Sequence, residues 1–170
     1  MKRLAQIFVV LMACGYLFSA QHAAVKSANP FAGAWTYRSF RNTPEPVGDV
    51  STDPSKLVKM LFAEAEWVVQ DTSDGSFKGE LRFGPQDVMD LAGTITPENT
   101  NCPAKFHISG KGRPGTSTSQ LFYDYEGYLV PKWPNGIDQR AAIVGSVIRV
   151  KPHDGAPAGY VASFIAVKRD

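Results

Sequence analysis

The side chains of this chain that could do chemistry are sparse. His107 in KFHISG and His153 in KPHDG stand apart from each other and from any cysteine pair. No His-Glu-x-x-His, Cys-x-x-Cys, Gly-x-Ser-x-Gly or glycine-rich phosphate loop is present, and VGSVI lacks the second glycine. The motif-carried routes to zinc hydrolysis, thiol redox chemistry, acyl transfer and nucleotide binding are therefore missing. His107 and His153 with Asp124 have no ligand spacing, so no metal site is expected and no cofactor is implied. Asp124 and Glu126 share one face of an extended segment, as a paired-carboxylate acid–base site needs. On an outward face the same pair is simply solvated, and Arg140 and Arg149 are expected to pair with such acids at the surface. Cys102, beside Pro103, reads as a small loop residue.

The denser signal is aromatic. In YDYEGYLVPKWPNGIDQ (123–139), Tyr123, Tyr125 and Tyr128 precede Trp133, which is held between Pro131 and Pro134. The prolines fix their own backbone torsions and lower the entropy lost when the loop is ordered. An indole presented on so stiff a loop either covers a cavity as a lid or plugs an end of the fold. In both cases Trp133 should be half-buried near Tyr123 or Tyr125, with its N–H partnered.

The elements that must position these groups are strands. Apolar and polar residues alternate over 34–41, 61–70, 76–84, 88–96, 104–112, 120–130, 141–150 and 159–168. Period-two alternation marks strands with one buried face. Turn formers such as DTSDG, GPQD, GRPGTSTS and KPHDGAPA separate them. A single helical turn, capped by Asp53 with Pro54 at its first position, is expected over about 54–60 before the second strand. Eight sequential strands with mostly short connections predict an all-β fold, an eight-stranded antiparallel up-and-down barrel, which also removes exposed sheet edges.

The first run, FAGAWTYRSF, contains Gly33-x-Trp35, and the last ends in Lys168 and Arg169. This resembles the calycin superfamily, the lipocalins and avidins. The resemblance implies that Gly33 and Trp35 open the first strand and that Lys168 or Arg169 packs over Trp35 to close the barrel base. It covers architecture over roughly 31–169 and carries no ligand with it. The segment from Tyr123 to Arg149 is also similar to a stretch of small exported bacterial proteins of unassigned function.

On a barrel, alternation assigns faces. Trp35, Tyr37 and Ser39 oppose Thr36, Arg38 and Phe40. Ala63, Ala65, Trp67 and Val69 oppose Phe62, Glu64, Glu66 and Val68. Phe77, Gly79, Leu81 and Phe83 point inward, as do Leu121, Tyr123 and Tyr125. Inward Tyr37, Ser39, Trp67, Tyr123 and Tyr125, with Trp133 at the mouth, would form an apolar pocket with hydroxyl anchors for a small, largely apolar ligand. The same aromatics could instead fill the barrel. Three functions follow: an exported, non-catalytic binder of such a ligand, a filled-core structural or interaction module of the cell envelope, or an enzyme using mouth groups such as His107 with Asp124 or Arg149. A cavity separates the first two, and buried hydrogen-bonded titratable groups within it would favour the third.

The N-terminus is read as a leader. Lys2 and Arg3 precede an apolar run from Leu4 to Ala20 and a small, polar exit, the layout of a signal peptide over 1–28 ahead of a barrel domain over 29–170. Leu11 to Cys14, LMAC, offers the alternative of a lipoprotein anchored through Cys14. Removing Lys2, Arg3 and Lys26 from the 18 basic residues leaves 15 against 16 acidic ones. That balance gives no electrostatic basis for nucleic-acid binding, and the remaining chain has no candidate membrane span. It keeps Cys102 alone, so it has no internal disulfide. The expected location is periplasmic or secreted.

Overall fold

The computed structural model describes residues 29–42, 60–72 and 74–169. The expected leader with Cys14 lies outside them, as does the expected helical turn apart from Met60. The described chain forms eight strands: β1 (Gly33–Arg41), β2 (Leu61–Val69), β3 (Ser76–Arg82), β4 (Val88–Thr96), β5 (Lys105–Gly112), β6 (Phe122–Val130), β7 (Ala142–Arg149) and β8 (Val161–Lys168). Each pairs antiparallel with its sequence neighbours, and β1 pairs with β8 to close the barrel.

Alternation builds the two walls. In β1 Trp35, Tyr37 and Ser39 are buried while Thr36, Arg38 and Phe40 face out. In β8 Ala162, Phe164 and Ala166 go inward, leaving Val161 and Ile165 on the outer wall. Each fully buried apolar side chain contributes about 1.5–3 kcal/mol against leaving it in water. Strand ends depart from the sequence expectation where turns intervene. Gly159, at φ 82°, takes a turn geometry that favours glycine, so β8 starts at Val161 and not at 159. Leu121 N–H donates to Thr118 O at 2.7 Å, which ends a turn just before β6.

One end, the base, carries the start of β1 and the end of β8. Phe31 is fully buried there, with its ring 5.2 Å from Phe106 and 6.0 Å from Phe77. Asn29 fixes the segment: its Oδ1 accepts from Phe31 N–H at 2.9 Å, and its Nδ2 donates to Gln70 O at 3.0 Å. Trp35 donates its indole N–H to Phe31 O at 2.8 Å. The Lys168 ammonium lies 4.6 Å from the Trp35 ring centroid and donates to Ala32 O. A side chain at Gly33, where φ is 111°, would stand 2.5 Å from that ammonium, so the glycine makes the cation's approach to the tryptophan possible. Arg169 turns outward and pairs with Glu66. Burial lowers the Lys168 pKa, because its charged form loses solvent.

Candidate ligand cavity

Among the described residues, the opposite end, where β6 begins and β7 finishes, is open. A cavity of about 340 Å³ lies inside it, walled by Tyr37, Phe62, Leu121, Tyr125 and Val147, with Tyr123, Arg149 and His153 as its polar groups. That size is near the lower limit of small-molecule sites, about 300–1,000 Å³.

Local irregularities shape the walls. In the β1–β2 ladder Ser39 pairs with Ala63 but Phe40 pairs with Leu61, so Phe62 is an extra residue. Such a bulge re-aims a side chain. Here it brings Phe62 into the cavity, correcting the alternation that set it on the outer face. Gly110 leaves room for Tyr125, since a Cβ there would sit 2.9 Å from the Tyr125 ring. Phe83, at the rim, is 36% exposed and only borders the space.

Below the cavity the barrel is filled. Trp67 is fully buried, 5.7 Å from Tyr37, 5.4 Å from Phe106 and 5.6 Å from Phe164 between ring centroids. It packs in the solid half and is absent from the cavity wall. Its Nε1 has no hydrogen-bond partner among the described residues, a cost on the order of 1–3 kcal/mol. Ser39 is wholly buried and does not reach the cavity lining. Burial raises the Tyr37 pKa, partly offset by the Ser39 hydroxyl, and burial also holds Tyr125 well above the ordinary tyrosine value.

The polar groups form a series. Tyr123 and Arg149 face each other across the β6–β7 ladder. Arg149 is 7% exposed, and its Nε donates to Tyr123 Oη at 3.5 Å. Tyr123 Oη lies 2.6 Å from His153 Nε2, and His153 Nδ1 lies 3.0 Å from Asp154 Oδ2. Within the β7–β8 connection, Asp154 and Gly155, both with positive φ, make a tight turn bridged by His153 and Ala156, and His153 lines the cavity. Arg149 also donates to Pro157 O at 3.1 Å and lies against the rings of Phe62 and Tyr160. No carboxylate pairs with it among the described residues. The expectation of a surface ion pair for Arg149 is thus overturned: its parity with Val147 turns it inward.

Trp133 is a second correction. It is 68% exposed and lies in the β6–β7 loop, at the base end and away from Tyr123. Connections alternate between the two ends of an up-and-down barrel, and this one falls on the same side as the start of β1. Trp133 is therefore not the half-buried lid or plug expected beside Tyr123 or Tyr125, and at its own end Phe31 fills the barrel.

His107, Asp124 and Glu126 sit on outer-wall positions of β5 and β6, with His107 opposite Glu126. His107 is therefore separated from Arg149 and from His153. Among the described residues no cluster of His, Cys, Asp and Glu could hold a metal ion. Cys102 is exposed. Arg149 was legible from its inward parity, whereas His153 had no sequence signal, because a turn carries it inward.

No protein-family model matches the chain, and no curated protein matches it significantly.

Proposed function

We propose that this chain is exported and that its calycin-like barrel binds a small, largely apolar ligand at its open end without acting on it chemically. The cavity carries the reading, because the base of the barrel is packed solid while the open end holds space walled by apolar and aromatic side chains. Such a split favours a binder over a filled structural module. Export is supported by Lys2 and Arg3 ahead of the apolar run to Ala20.

Native mass spectrometry of the protein purified from its source tests both parts. A mass lacking about residues 1–28 together with a retained small-molecule adduct is the expected result. An intact N-terminus or a diacylated Cys14 would contradict the cleaved leader, and absence of any adduct or saturable ligand would contradict the binder. The Tyr123–His153–Asp154 series favours one second reading, acid–base chemistry on the bound molecule. A ligand chemically altered on incubation, with the change lost in His153→Ala, would establish it; a ligand returned unaltered supports binding alone.

A further inference from the structure

We propose that the ligand carries a single carboxylate, seated on the Arg149 guanidinium, with its apolar body lying among Phe62, Leu121 and Val147. The inference rests on the reading of the open end as a binding site. A cation almost withdrawn from water is unfavourable unless an anion or a full set of acceptors meets it. Arg149 is 7% exposed, and its two hydrogen bonds go to one neutral hydroxyl and one backbone carbonyl. A guanidinium has five N–H donors, so most remain for another acceptor.

The surroundings set that acceptor's chemistry. With His153 Nδ1 donating to Asp154, its Nε2 accepts the Tyr123 proton, and the Tyr123 oxygen is left facing Arg149 as an acceptor. Tyr123 therefore orients the guanidinium rather than competing for the ligand's acidic group. The planar fork of arginine matches a carboxylate in two parallel bonds. A phosphate monoester would bring a charge of about −1.5 to −2, more than this one guanidinium balances. The space accommodates on the order of ten to twelve heavy atoms at the roughly 30 Å³ that a water takes in the liquid. Phe62 and Tyr160 flank the guanidinium at 5.9 and 5.5 Å, and the apolar body extends from there past Phe62 to Leu121 and Val147.

The test is calorimetric titration of the full chain with octanoate, octanamide and octylamine, three molecules of equal body and different head. Octanoate should bind at least tenfold more tightly than octanamide, and octylamine least. Arg149→Met, which keeps the aliphatic stem, should bring octanoate down to the affinity of octanamide and so abolish the preference. Octanoate no tighter than octanamide, or a preference that survives in a folded R149M, overturns the carboxylate assignment and leaves the cavity reading standing. Failure of all three probes and of an apolar dye removes both. Should R149M not fold, the ranking of the three heads on the unaltered protein decides.

Discussion

The two ends of this barrel are built from similar residues to opposite purposes. At the base, Phe31, Trp35, Phe77 and Phe106 pack against one another, and Lys168 has the Trp35 ring and Ala32 O as partners. At the open end, Tyr37, Phe62 and Tyr125 wall a space, and Arg149 has no anion beside it among the described residues. Lys168 lies over a packed ring at the closed base, whereas Arg149 borders a cavity, and the proposed ligand rests on that difference.

Breaking the closed end should have the largest effect. Trp35→Ala removes a fully packed indole, its bond to Phe31 O and the surface under Lys168. The expected loss is about 3–5 kcal/mol, as for other buried aromatics, measured by denaturant unfolding. An unchanged midpoint would show that the base is not the stable half.

The aromatic layer between the ends sharpens the contrast through pH. Tyr37 and Tyr125 have pKa values raised by burial, so the folded state holds them neutral. Their contribution is complete below the ordinary tyrosine pKa and is lost as pH rises towards their folded-state values. Phenolate absorbance from these two should therefore develop only together with alkaline loss of near-ultraviolet dichroism. Ionisation in the intact barrel would mean that the cavity admits water down to the layer above Trp67.

A smaller effect lies on the outer wall near the open end. Hydrogen bonds from Arg113 and then Arg82 lower the Glu80 pKa. Stability from these contacts is complete above the ordinary glutamate range and is lost as pH falls through the lowered value. Glu80→Gln should flatten the acid limb of the stability curve, and added salt should narrow the difference from wild type. An acid limb identical in the two proteins would mean that the network does not brace this end.

Trp133→Ala should do least. An exposed side chain away from packing changes stability by less than about 0.5 kcal/mol, and dye uptake should not move. A loss of uptake would return Trp133 to the binding site.

The barrel was legible because period-two alternation and turn residues agreed over all eight strands. The candidate site was legible only in part. Tyr37, Tyr123 and Tyr125 followed parity into the interior, and parity would also have placed Arg149 there. Phe62 escaped because a one-residue bulge depends on how β1 and β2 register, which no single strand's pattern records. His153 escaped because a turn, with its own positive-φ geometry, aims it. Trp133 misled because its stiff, aromatic loop suggested a lid or a plug beside Tyr123, while the alternation of loops between barrel ends puts it on the far side.

The central claim, that the open end is a binding cavity and the base is not, is tested most directly by filling it. Leu121 lines the cavity and is only half-buried, so Leu121→Trp can project an indole into the space without disturbing the packed layers. Titration with an environment-sensitive apolar dye should give saturable, one-to-one binding to the unaltered protein and a loss of at least tenfold in the variant, with the unfolding midpoint little changed. Equal dye binding by the two proteins, or no saturable binding by either, would contradict the account.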